Sequence, residues 1–304
     1  MLSNKFYFSL VSLPRSGSTI LSNILNNFQN VKCFNQSFFN ICLLILDIFY
    51  KKNLIIKKNL LDSYLFKNKK LLFKFEKHIN KNNYFVFKQK QIQNLYGENF
   101  KIYKTQEKNF DYAKFYKDNL NYNTKKPILG SKEVNSDYFI KYYLSNNIKV
   151  ILLVRNPFDY IYSCMYGKKD HINQDKYSIN HFLSRWQYLY KYYNKSTKDL
   201  LIIRFEDLII KKKYELLKLS KFLNTSIKKR IFFDINNSSH HDNLKFLDKK
   251  VIYASLNGLE KKILLKIFNT TKNELLSLGY LSSLKNIKNI EDIKNQLIKK
   301  IQLT

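Results

Sequence analysis

Residues 7–21 read YFSLVSLPRSGSTIL: an apolar run, a loop of small residues, and the start of a helix-forming segment. The run Tyr7–Val11 has the aromatic and β-branched content of a buried strand. The loop behind it has the dimensions of a phosphate-binding loop, G-x-x-x-x-G-K-[ST]. With Gly17 on the second glycine of that pattern, Thr19 falls on the final Ser/Thr, Ser12 on the first glycine and Ser18 on the lysine. The backbone logic survives the replacements, because a glycine turn still presents N–H groups at a helix N-terminus, where the dipole favours an anion. Ser16, Ser18 and Thr19 add hydroxyl donors, and the cation stands inside the loop as Arg15. Without the lysine, ATP hydrolysis of the usual kind is not expected. The simpler alternative for the loop alone is a helix N-cap with an arginine beside it.

Further apolar runs of strand length are Val31–Phe34, Ile128–Gly130, Val150–Val154 and Leu201–Phe205, and stretches with helical spacing, such as Thr19–Phe28 and Phe182–Tyr193, lie between them. This alternation predicts an α/β fold, a P-loop-type parallel β-sheet flanked by helices with right-handed crossovers. Ligands of such sheets sit beyond the carboxyl ends of the strands. Pro14–Thr19, Lys132 and Arg155 all follow the ends of such runs. Residues 50–126, rich in lysine and tyrosine, read as a mostly helical insertion within a single domain over 1–280. Residues 281–304 read as a C-terminal helical tail. No linker or internal repeat divides the chain.

The stretch VILLVRNPFDYIYSCMYG, from Val150, carries a second polar constellation. Arg155 ends an apolar strand, Asn156 and Pro157 turn the chain, and Asp159 is placed to cap or brace the next helix. Ser163 lies on that helix, eight residues beyond Arg155. An arginine on a strand end and a hydroxyl on the following helix can converge on one phosphate. The competing reading pairs Arg155 with Asp159 as a structural ion pair. Taken together, the loop and this constellation point to a ligand with anionic groups at both ends.

LPRSGST followed by RNPFDYIYS resembles the sulfotransferase superfamily, whose donor is 3′-phosphoadenosine 5′-phosphosulfate (PAPS). The resemblance implies that the first motif (Arg15, Ser16, Gly17, Ser18, Thr19) holds the 5′-phosphosulfate and that Arg155 and Ser163 hold the 3′-phosphate. RFEDLI (Arg204–Ile209) is similar to the family's Y-E-D-L strand end, and NNSSHHD (Asn236–Asp242) to the N-S-S segment of bacterial members. Tyr253–Tyr280 resembles their closing helices, which often end in L-G-Y. Sulfuryl transfer needs in-line placement and positive groups on the reacting oxygens. Arg15 is the first candidate for that role. Lys132, in ILGSKEVN, resembles the lysine that reaches the transferring sulfonate in tyrosylprotein and bacterial sulfotransferases. In the tyrosylprotein branch a glutamate about 21 residues beyond the loop arginine is the base. Counting from Arg15, that position is Gln36, which cannot accept a proton as a base. Glu133, Glu98 and His171 are the other candidates.

Composition narrows the remaining classes. The net charge is +31, from 54 basic and 23 acidic residues, the balance of a nucleic-acid or anionic-membrane binder. Only five of the basic residues are arginine, however, and lysine is spread between the motifs as well as around them. Nucleic acid is therefore not expected as the main partner. Three scattered cysteines and five histidines without ligand spacing suggest neither a disulfide framework nor a metal site. The N-terminus shows no signal-peptide pattern. The longest apolar segment, Phe38–Phe49, contains Asp47 and falls short of the ~20 residues of a membrane span. A cytoplasmic enzyme with no transmembrane segment and no metal is expected, acting on a hydroxyl-bearing acceptor such as a glycan or glycolipid. Two other classes stay open: a P-loop kinase-like phosphotransferase, and a donor-fold binding protein that lacks a base.

Overall fold

The computed structural model describes residues 5–35, 112–134, 136–166, 178–193, 197–227, 254–285 and 287–302. The five apolar runs are its strands: β1 (Phe6–Ser12), β2 (Val31–Asn35), β3 (Ile128–Val134), β4 (Lys149–Val154) and β5 (Leu200–Arg204). They form one parallel sheet in the order β2-β3-β1-β4-β5. The chain leaves β1 toward β2 and leaves β4 toward β5, so these adjacent strands send their connections in opposite directions. In open α/β sheets the carboxyl ends of strands at such a reversal are the usual ligand position.

Nine α-helices flank the strands among the described residues: α1 (Ser18–Leu25), α2 (Tyr112–Asn123), α3 (Ile140–Ser145), α4 (Pro157–Tyr166), α5 (Ile179–Tyr193), α6 (Phe205–Ile210), α7 (Lys212–Leu223), α8 (Lys261–Ser277) and α9 (Ile290–Gln302). Alternation along β1 sends Phe8 and Leu10 to one face, where they pack with Leu21, Ile24 and Leu25 of α1 and with Leu216 and Leu219 of α7. Val11 points to the other face, into a larger cluster with Tyr116 of α2, Tyr143 of α3, Tyr160 of α4, Trp186 of α5 and Ile267 of α8. Helix α2 falls within the residues read as an insertion, yet Phe115, Tyr116 and Leu120 are buried against the sheet. In α9, Ile293 and Leu297 are buried against the same larger cluster. Residues 50–111, the apolar segment Phe38–Phe49 and the Asn236–Asp242 segment lie outside the described residues.

Burying an aromatic-rich layer over a polar sheet end requires partners for the polar groups it covers. On the α5 side the Arg185 guanidinium donates to both carboxylate oxygens of Asp137, and both side chains are almost fully buried. Removing one partner of such a pair leaves an uncompensated buried charge. Asp137→Ala is expected to destabilise the fold by about 3–5 kcal/mol in denaturant titrations, whereas exposed ion pairs such as Lys149–Asp199 contribute about 0–1 kcal/mol. One turn earlier, the His181 imidazole is held down to about 4, first by burial and then by Arg185. An unfolded histidine takes its proton near 6.5. The unfolded chain therefore binds the extra proton as pH falls from about 6.5 toward 4, and the fold loses stability across that window. His181→Gln is expected to flatten that part of a pH-dependent urea midpoint profile.

Candidate active site

The loop predicted to hold an anion joins β1 to α1, with Gly17 at the helix N-cap. Gly17 has φ +87°, a left-handed conformation open to glycine at little cost. A Cβ at this position would meet the Phe205 ring at 2.3 Å, so side-chain space is closed as well. Arg15 also lies in the left-handed region, at φ 64°, a conformation of appreciable cost for a non-glycine residue and one that clusters at functional sites. Ser16 and Ser18 are buried at the turn, and the first N–H groups of α1 have no helical acceptors of their own.

The second constellation folds against this loop. Nε of Arg15 donates to Oγ of Ser163 on α4 at 3.0 Å. Nη1 of Arg155 donates to the Arg15 carbonyl oxygen at 2.9 Å, and its guanidinium lies 5.1 Å from the centroid of the Phe205 ring. Arg15, Arg155 and Ser163, assigned from sequence to opposite ends of a ligand, thus adjoin one another. The pairing of Arg155 with Asp159 does not occur. Asp159 instead accepts from Nδ2 of Asn156 and from the Ser255 hydroxyl, while Oδ1 of Asn156 caps the Asp159 N–H at 2.9 Å. The Asn156-Pro157 pair therefore starts α4 with a side-chain cap followed by a residue suited to the first helical position.

Lys132 arrives from β3. The strand is longer than its apolar part, running to Val134, so Lys132 lies within the sheet and not beyond its end. It is 1% exposed, and its Nζ donates to Oγ1 of Thr19 at 2.9 Å. Thr19 occupies the position that takes Mg²⁺ in nucleotide-hydrolysing P-loops. Here its hydroxyl accepts from an ammonium group on the neighbouring strand, which supplies a cation to a loop whose own lysine is Ser18. Strand alternation turns Glu133 to the opposite face, where it accepts from the Ser131 hydroxyl in the buried layer beneath α2. Glu133 therefore does not stand on the Lys132 side of the sheet, and it is fully buried. Gln36, Glu98 and His171 lie outside the described residues.

Three residues with no individual role assigned from the sequence complete the frame. Trp186, 1% exposed on α5, donates its Nε1 to the Arg155 carbonyl at 2.8 Å. Glu206 accepts at 2.8 Å from both the N–H and Nδ2 of Asn156, and at 2.8 Å from the Tyr280 hydroxyl. Burial pushes the Glu206 carboxyl above its ordinary range, against the opposing effect of the Asn156 N–H. The RNP, FED and LGY segments thus meet at one carboxylate. Burial also pushes the Cys164 thiol up to about 12, the nearby Arg15 notwithstanding, which leaves it protonated and unreactive at neutral pH.

Among the described residues no helix is long and apolar enough to cross a membrane. Nor is there, among them, a group of three His, Cys, Asp or Glu side chains that could hold a metal ion. No curated protein matches the sequence. The fold is similar to the sulfotransferase domain of the Synechococcus PCC 7002 olefin synthase, at 14% identity over 89% of this chain and 95% of that one, with a TM-score of 0.51. The mouse sulfotransferase SULT7A1, solved in complex with PAP, aligns at 12% identity over 95% of this chain and 88% of its own, with a TM-score of 0.48. The family model described as the sulfotransferase domain matches residues 8–257, a span that begins in β1, takes in both polar motifs and ends beside Ser255. The chain belongs to the sulfotransferase family and is a PAPS-dependent enzyme of that family.

Proposed function

We propose that the enzyme transfers the sulfonate of PAPS to a hydroxyl of a glycan or glycolipid in the cytoplasm, with no metal. The observation that carries the donor half is the convergence of Arg15, Arg155 and Lys132 on one crevice, together with the hydroxyls of Thr19 and Ser163 and a helix N-terminus. The set supplies cations and hydroxyl donors side by side for an anionic ligand, and the donor supplies an activated sulfonate on a phosphate leaving group. The α1 N-terminus with Ser16, Ser18 and Thr19 binds the 5′ end through backbone and hydroxyl donors. Arg155 and Ser163 take the 3′-phosphate. Arg15, half-buried, and Lys132, buried, hold positive charge where negative charge develops, fixed in place so that little reorganisation is needed. The glycan or glycolipid acceptor rests on the tyrosine-rich composition of 50–126 as a stacking surface.

Calorimetric titration tests the donor. Adenosine 3′,5′-bisphosphate is expected to bind at micromolar affinity and ATP–Mg²⁺ far more weakly; the reverse preference would return the kinase reading. Arg155→Ala is expected to weaken the bisphosphate by about 2–3 kcal/mol through loss of charge-assisted hydrogen bonds, and unchanged affinity overturns that assignment. Lys132→Met and Arg15→Ala are each expected to lower kcat by about 10²–10³-fold with donor Kd much less affected, in single-turnover assays with labelled PAPS. A change confined to acceptor KM would contradict both roles. Gln36→Glu restores a carboxylate at the position of the family's base, and a rise in turnover would identify that position as facing the acceptor.

A further inference from the structure

We propose that Trp186 and Glu206 are positioning residues that clamp the peptide unit between Arg155 and Asn156, with Tyr280 bracing the Glu206 side. This rests on the reading of Arg155 as the ligand of the 3′-phosphate. The unit lies just past the end of β4. It is planar, with its carbonyl and N–H on opposite edges. Trp186 donates to the Arg155 carbonyl, and Glu206 accepts from the Asn156 N–H, each at 2.8 Å. With both edges held, the unit cannot rotate about its long axis, and the direction of the Arg155 side chain is fixed at its root. The far end is set by the same neighbourhood, since Phe205, whose ring lies under the guanidinium, precedes Glu206 in the chain.

The bracing comes from the end of α8. Gly279, at φ 72°, closes the helix: its N–H goes to the Leu276 carbonyl, and the Tyr280 N–H to that of Leu275. This pair of bonds is a Schellman turn, and it delivers the Tyr280 hydroxyl to the second oxygen of Glu206. Arg204 secures the same turn, donating to the Leu278 carbonyl and lying 5.3 Å from the centroid of the Tyr280 ring. A buried carboxylate is a poor source of stability compared with an apolar side chain. What Glu206 provides is direction: an acceptor for an N–H that no strand pairs, one bond away from the residue that must meet a phosphate.

The test compares two ligands that differ only in the 3′-phosphate, adenosine 3′,5′-bisphosphate and adenosine 5′-monophosphate, by calorimetry on the full chain. The wild type is expected to prefer the bisphosphate by about 30–150-fold. Trp186→Phe, which keeps an aromatic ring and loses the N–H, is expected to lower that ratio about 5–10-fold while the monophosphate affinity stays within about two-fold. Tyr280→Phe removes one hydroxyl and leaves the ring on Arg204; it is expected to lower the ratio about 2–5-fold. In an Arg155→Ala background neither substitution should change the ratio further. A wild type without preference removes the reading of Arg155, and the clamp with it. If the wild type prefers the bisphosphate and both single variants keep the full ratio, or weaken the two ligands equally, the clamp is overturned while the reading of Arg155 stands.

Discussion

The arrangement of the candidate site depends on a single buried carboxylate. Glu206 is desolvated and its protonation is pushed up accordingly, so by itself it opposes folding at neutral pH. It is tolerated because donors from three directions meet it: the Asn156 N–H, the Asn156 amide and the Tyr280 hydroxyl. Those donors belong to the turn after β4 and to the end of α8, while Glu206 sits on the helix that follows β5. The carboxylate therefore joins parts of the chain that apolar packing alone would hold near one another without fixing their orientation. Hydrophobic contact is non-directional; hydrogen bonds to a buried charge are directional and strong. The fold uses the first to assemble the layers and the second to aim the sheet's carboxyl edge.

That edge gathers cations that self-repulsion would otherwise spread. Arg15 comes from the loop after β1, Lys132 from within β3 and Arg155 from the end of β4. Arg15 and Arg155 are held by neutral oxygens, the Ser163 hydroxyl and the Arg15 carbonyl respectively, and Lys132 donates to the Thr19 hydroxyl. Neutral acceptors hold a cation in place without discharging it. The contrast is Arg185, whose partner is the Asp137 carboxylate and whose charge is spent on structure. The two treatments separate a guanidinium left beside neutral acceptors from one neutralised in the core.

How far this was legible in the sequence depended on whether a signal was local. The five apolar runs announce the strands because each is a short block of large aliphatic or aromatic residues. The parallel order follows from their alternation with helices, and the two anion motifs are read from contiguous residues. Lys132 was harder. Ser131, Lys132 and Glu133 are polar residues in a strand buried on both faces, so the apolar signal stops at Gly130 while the strand runs on to Val134. Misjudging that end hid both the burial of Lys132 and the turning of Glu133 to the other face. The clamp around Arg155 was beyond reach for a different reason. Its bonds join residues 31, 50 and 74 positions apart, and no periodicity encodes which distant tryptophan or tyrosine meets which peptide group.

Composition, which looked like noise, sharpens the same picture. With 49 lysines against five arginines, lysine is the chain's default cation, used even at the buried position of Lys132. Arginine remains where a planar fork is required, because lysine reproduces neither its paired donors nor its stacking. Four of the five arginines are described, and three of them are engaged by geometry of that kind. Arg155 stacks on Phe205 while donating to a carbonyl, and Arg204 lies over Tyr280 while bonding Asp207 and the Leu278 carbonyl. Arg185 donates from two nitrogens to Asp137, and Arg15 reaches Ser163 from a left-handed backbone. All four lie in the candidate site or in the struts that support it. In a chain where lysine is the default, the rare arginines mark the site better than the net charge of +31 does.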